Sequence, residues 1–259
     1  MAGFHPLVPI LFFTFVGSIG GLAGGLILLA KQELAIKISH FLTAFAAGVL
    51  LASAFFDLLP EALREGEETG LNIFAWTLTG LLIFFIAEQL IHWFHHHSEA
   101  SHEHDKETRA IIPLIIAGDT IHNFVDGVVI AATFLVDFRL GVVTALAVAA
   151  HELPQEIGDF ALLLHKGLSR FKVVLLNLVS AAAAFAGALG AYLFGSSLQG
   201  YVPISLSLTA GFFIYIATSD IIPEIHYEKR RPAALAKSGL LLLGVASLYL
   251  ILSSIGHGE

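Results

Sequence analysis

The 259-residue sequence predicts an all-α integral membrane protein of eight transmembrane helices. Three observations lead there. The chain is 56% hydrophobic and 13% charged, with a mean hydropathy of +0.82, whereas an ordinary soluble domain carries about 25% charged residues. Its apolar runs extend near-continuously over about 20 residues, the length of a membrane-crossing helix, without the alternation of a barrel strand. Finally, its Lys and Arg residues fall almost entirely in alternate connectors.

Eight spans are expected at roughly 7–30, 38–60, 72–94, 110–136, 140–165, 171–195, 202–224 and 235–255. Short polar connectors such as KQELAIK, REGEETG, DFR and HKGLSRFK separate them. The whole chain, 1–259, reads as one transmembrane domain. With the N-terminus on side one, side two holds eleven basic residues: Lys31, Lys37, Lys106, Arg109, Lys166, Arg170, Lys172, Lys229, Arg230, Arg231 and Lys237. Side one holds Arg64 and Arg139. The positive-inside rule makes side two cytoplasmic and places both termini outside. The first basic residues follow the first apolar run, so an uncleaved first helix is expected.

Composition also excludes classes. There is no cysteine, hence no disulfide and no thiolate metal site. A formal charge of −8 does not suit a nucleic-acid partner. The partners expected are a lipid bilayer and, from the residues below, a divalent metal ion.

The first span contains GSIGGLAGGLILLA, with Gly17, Gly21 and Gly25 at four-residue spacing. Small residues so spaced allow close helix packing. The sixth span, with Ala181–Ala184, Gly187 and Gly190, reads the same way. The second span ends in FFDLLPEALREGEE and the seventh in TSDIIPEIHYEKRR. Both contain Asp-x-x-Pro-Glu: Asp57, Pro60 and Glu61, then Asp220, Pro223 and Glu224. The topology points the copies in opposite directions, which is the inverted repeat of many transporters. Two helix ends with a Pro stop are the plainer reading. In the functional reading these carboxylates form the outer and inner vestibules.

After the third span, a cytoplasmic loop at 95–108 is expected to be His-rich. His92, His95, His96, His97, His102 and His104 cluster there, with Glu88 one turn before His92. Such tracts signal metal binding by composition, and a solvated low-complexity loop is the alternative.

The chemistry concentrates in the fourth and fifth spans. Asp119, His122 and Asp126 recur on one helical face, with Asn123 beside them. His151, Gln155 and Asp159 follow one another by turns, and Glu152 and Glu156 form a second i, i+4 pair. Pro154 removes a backbone hydrogen bond and frees the carbonyl near Ala150, which a membrane tolerates where a polar cavity satisfies it. Charge at bilayer depth costs about 2.5–3.5 kcal/mol per Asp or Lys on insertion scales. Imidazole with carboxylate suits zinc, iron, manganese or cobalt. Calcium would want more oxygen ligands and no imidazole.

HNFVDG in the fourth span and HELPQEIGD in the fifth resemble the signatures of the ZIP (Zrt/Irt-like) family of divalent metal transporters. They are most similar to the branch whose fifth helix reads His-Glu-x-Pro-His-Glu-x-Gly-Asp. By motif position, the resemblance implies metal ligands at His122, Asn123, Asp126, His151, Glu152 and Gln155. It further implies a 3+2+3 helix arrangement with an inverted repeat. Metal would move toward the cytoplasm as helices one, four, five and six shift elevator-fashion against the rest. Homodimers are common in the family. Asp119, Glu156, Asp159, Asp57, Glu61, Asp220 and Glu224 are expected to support the site or line the pathway.

Three departures matter. Position 155 is Gln where the family has a second His or a Glu, and Asp126 stands where many bacterial members have Glu. Ser53 and Asp57 stand where the branch commonly has Asp and His. The neutral amide predicts one well-formed site of His122, Asp126 and His151, assisted by Gln155, and a weaker second site if any.

The expected function is transport of a divalent transition metal, zinc first, with iron, manganese or cadmium possible. The metal is substrate, and no catalytic cofactor is expected. A membrane-embedded zinc hydrolase is one alternative, because HELPQ begins like H-E-x-x-H, but residue 155 is Gln and the motif contains Pro. A metal-selective channel or sensor is the other. Short loops suggest a bacterial cytoplasmic membrane.

Overall fold

The computed structural model describes residues 6–67, 69–96, 104–195 and 201–254. These form eight helical rods. They are α1 (Leu7–Ala30), α2 (Gln32–Gly66), α3 (Ile73–His96), α4 (His104–Val136), α5 (Phe138–His165), α6 (Arg170–Phe194), α7 (202–226) and α8 (Arg231–Ser254). Six of them, or long stretches of them, are long and apolar enough to cross a membrane: α1, α2, Ile116–Val136 of α4, α6, Val202–Ser219 of α7, and α8. The protein is a multi-pass, all-helical membrane protein.

The other two rods differ for physical reasons. The apolar part of α3 is the shorter Ile73–Ile86. In α5, the acids and histidines lower the mean hydropathy, yet His151, Glu152 and Glu156 are buried against neighbouring helices. At 28 residues α5 is about 42 Å long.

Helix α3 extends to His96, and α4 begins at His104. Lys31, at φ −146°, makes the only break between α1 and α2.

Three rods contain a π turn. In α2 it covers Ala54–Leu58, and in α7 Ile216–Ile221. Each lies just before the proline of an Asp-x-x-Pro-Glu copy, Pro60 and Pro223. Proline lacks the N–H that would bond four residues back, and its ring crowds that carbonyl. The wider turn relieves the crowding, so the sequence repeat is also a structural one. The third π turn, Phe15–Ile19 in α1, carries Ser18 into the interior, where it is 1% exposed.

Two groups of rods pack most extensively. In one, α4 lies along α6, and α5 lies along α1 and α4. In the other, α2 pairs with α8 and α3 with α7, and the π turn of each Asp-x-x-Pro-Glu helix packs on the straight part of the other. The groups meet mainly where α2 crosses α5. Reciprocal glycines allow the tightest crossings. A Cβ on Gly127 would strike the Ala184 carbonyl, and one on Gly187 the Phe124 carbonyl. Gly48 and Gly244 do the same for α2 and α8, as do Gly80 and Gly211 for α3 and α7.

Candidate metal centre

Four side chains from α4 and α5 converge in the middle of the protein. The chain reverses between these helices through Asp137, whose Oδ1 caps α5 by accepting from the backbone N–H groups of Arg139 and Leu140 (2.8 and 3.1 Å). The two helices then run side by side, bringing one-turn spacings on each into register. His122, Asp126, His151 and Glu152 each offer one ligand atom, all within 4.8 Å of one another.

His122 Nε2 lies 3.2 Å from His151 Nε2. Asp126 Oδ2 lies 3.3 Å from His151 Nε2 and 3.8 Å from His122 Nε2. Glu152 Oε1 lies 3.5 and 3.7 Å from the same two nitrogens. Zinc binds nitrogen and oxygen ligands at about 2.0–2.2 Å, so neighbouring ligands in a tetrahedron stand about 3.3–3.6 Å apart. The observed separations bracket that edge.

The tautomer of His151 follows from its surroundings. Its Nδ1 is 3.1 Å from the carbonyl oxygen of Ala147. A carbonyl can only accept, so Nδ1 carries the proton and Nε2 keeps its lone pair for a ligand. Asp126 Oδ2 and both carboxylate oxygens of Glu152 are buried with no hydrogen-bond partner in the protein. The His122 side chain is the most open of the four at 13% exposure, against 1–6% for the others. Phe84 of α3 meets the His122 ring edge-on with centroids 5.7 Å apart, and Phe213 of α7 stands 6.4 Å from the His151 ring. Aromatic faces of the second helix group thus wall the cluster.

The other sequence-predicted residues take different places. Asn123 is fully buried but engaged elsewhere: its Nδ2 donates to Asp119 Oδ1 at 2.9 Å, and its Oδ1 accepts from Ser18 at 3.2 Å. Gln155 is half-buried one turn past His151. Asp119 and Glu156 are buried, and Asp159 is half-buried beyond them. Asp57 sits in its π turn near Arg139, whose Nη2 donates to Leu252 O at 2.5 Å. Glu61 is held by Arg64, with Nε to Oε2 at 2.9 Å. The side chains of Glu88, Asp220 and Glu224 lie outside the described residues, as do those of His92, His95, His96 and His104. His97 and His102 lie outside them entirely.

Three buried polar residues of this interior were not singled out from the sequence: Ser18, Asn177 and Ser180. Asn177 offered a signal as a lone amide within the apolar run VVLLNLV. Ser18 sits inside the glycine stripe, where a packing role hides it.

Comparison with known proteins supplies the family. The family profile described as "ZIP Zinc transporter" matches residues 6–111 and 96–252. Zinc transporter ZIP4 of Mus musculus is 42% identical over 149 residues, covering 57% of this chain and 22% of that protein. Zinc transporter ZIP13 of Pongo abelii is 30% identical over 227 residues, covering 81% of this chain and 65% of that protein. Zinc transporter zipt-7.1 of Caenorhabditis briggsae is 29% identical over 274 residues, covering 81% and 70%. The match thus spans about a fifth of the mouse ZIP4 length and about two thirds of the other two. The two motifs on α4 and α5, the apolar rods that carry them and a profile match over nearly the full length converge: the chain belongs to the ZIP family.

Proposed function

We propose that this protein carries divalent transition-metal ions, zinc foremost, across a membrane toward the cytoplasm. The transport site is His122, Asp126, His151 and Glu152, with Gln155 as an auxiliary ligand and Asn123 as a nearby support. The observation that carries this reading is the four-ligand cluster, buried at the middle of two membrane helices with ligand spacings that match a tetrahedral ion. Relatives named zinc transporters support it.

All eight rods cross the bilayer, with both termini outside and the basic connectors in the cytoplasm, consistent with the eleven-to-two split of Lys and Arg. The α1, α4, α5 and α6 group moves against α2, α3, α7 and α8 in an elevator-type cycle. The reciprocal packing of the two π turns supports an inverted repeat and hence a 3+2+3 arrangement. Asp57 and Glu61 collect the cation outside. Asp159, Asp220 and Glu224 lead it to the His-rich segment inside. The membrane is a bacterial cytoplasmic membrane, and the protein works as a homodimer.

The test is uptake of radiolabelled zinc by proteoliposomes, with iron, manganese and cadmium as competitors. Wild-type protein should show saturable uptake, and His122→Ala should lose it while remaining folded. Unsaturable flux would point to a channel, and full uptake by His122→Ala would refute the site.

A further inference from the structure

The two imidazoles of the cluster are held in different ways. His151 is fixed from its own helix, with Nδ1 3.1 Å from the Ala147 carbonyl one turn back. His122 has no such anchor. Among the described residues no hydrogen bond reaches its Nδ1, and its polar contacts run through Nε2 to the other three ligands. A ligating histidine is ordinarily aimed by a partner on its second nitrogen, which sets the ring plane. The one ring that His122 meets outside the cluster is Phe84 of α3, edge-on at 88° with centroids 5.7 Å apart.

Phe84 is itself firmly seated. Gly80 lies one turn before it on α3, and Gly211 lies opposite on α7. A Cβ on Gly80 would strike the Leu208 carbonyl, and one on Gly211 the Thr77 carbonyl, so the two backbones are in contact there. That crossing sets the Phe84 ring against Phe212 and Tyr215 of α7, with centroids 5.6 and 5.5 Å away. Both separations lie within the range of about 4.5–7 Å that aromatic pairs favour. Tyr215 is buried, so the seat is inside the protein. Phe84 belongs to the α2, α3, α7 and α8 group, whereas His122 belongs to the other. The hold on His122 therefore comes from across the boundary between the groups.

We propose that Phe84 is a positioning residue for the metal: its ring fixes the plane of His122 across that boundary, so that Nε2 faces the ion. The proposal rests on the reading of His122, Asp126, His151 and Glu152 as the transport site. A leucine at position 84 still fills the space but offers no flat ring. The imidazole then gains torsional freedom that metal binding must remove. His151 keeps its aim through its own hydrogen bond, so the loss is confined to one ligand of the four.

The probe is Co²⁺, which stands in for zinc and shows intense visible bands when held tetrahedrally. The protein is the purified full chain in detergent, with the six histidines from His92 to His104 replaced by Ser. His122→Ala should weaken cobalt binding, which ties the bands to this site. Phe84→Leu should weaken it by about three- to tenfold, the scale of one aromatic contact. Phe84→Tyr keeps the ring and should keep the affinity. Phe85→Leu should also leave it unchanged, because that ring meets Tyr215 at 6.3 Å and makes no contact with His122. In the His122→Ala background Phe84→Leu should add no further loss, since no ring remains to be positioned. A general loosening of the fold would instead weaken both backgrounds alike. Unchanged affinity in Phe84→Leu would overturn the proposal. So would an equal loss from Phe84→Leu with and without His122, or the same loss in Phe84→Tyr or Phe85→Leu. Undiminished binding in His122→Ala would sink the site itself, and the proposal with it.

Discussion

His151 does two jobs with one ring. Its Nδ1 proton goes to the Ala147 carbonyl, and its Nε2 points at His122 and Asp126. Because both imidazoles must be neutral to ligate, protonation competes directly with the metal. Zinc uptake should therefore fall as the pH is lowered, and return when the pH is restored. Initial rates in proteoliposomes from pH 8 down to 5 check this, and a flat profile would contradict it. Most of the cluster was legible in the sequence, because His122 and Asp126, like His151 and Glu152, lie on helices whose period is known in advance. The partner of each face was not. Face geometry alone set Glu152 apart from His151, yet its long side chain swings back to within 3.7 Å of that ring. Asn123 shows both kinds of contact: its Nδ2 donates to Asp119 one turn back on α4, whereas the approach of Ser18 to its Oδ1 depends on how α1 docks.

At the scale of elements, proline and glycine explain what periodicity could not. The Asp-x-x-Pro-Glu copies were visible as letters, but the π turns before Pro60 and Pro223 follow from the lost N–H and the crowded carbonyl. The glycine stripes read as packing surfaces, and in three helix pairs the glycines admit the partner's backbone directly. Their pairings were not legible, because a stripe says that something approaches without saying what. Gly127 is the sharpest case. Adding a methyl there forces α4 away from the Ala184 carbonyl of α6. Gly127→Ala should destabilise the protein by about 1–3 kcal/mol, the usual range for overpacking a tight contact. A thermal melt in detergent should show a lowered midpoint, whereas Gly190→Ala, with open space around its Cβ, should leave the midpoint unchanged.

For the whole molecule, composition and charge placement together foretold a multi-pass helical membrane protein, and that is what the rods form. The apolar α1, α2, α6 and α8 were plain from hydropathy alone. The fifth rod was legible for the opposite reason: its buried acids and histidines depress hydropathy, yet its length and its motif mark it. The orientation rests on the distribution of basic residues and is open to direct test. The chain has no cysteine, so single introduced cysteines report without background. In intact cells, Arg64→Cys should react with a membrane-impermeant maleimide, and Lys166→Cys should react only after permeabilisation. The opposite pattern would invert the topology and the direction of transport with it.

The proposed transport depends above all on one location for the metal. Anomalous diffraction at the zinc edge, from crystals of the zinc-loaded protein, measures that location directly. A peak is expected among His122 Nε2, His151 Nε2, Asp126 Oδ2 and Glu152 Oε1, at about 2.0–2.2 Å from each. Zinc found only elsewhere, with those four atoms left without a peak between them, would contradict it.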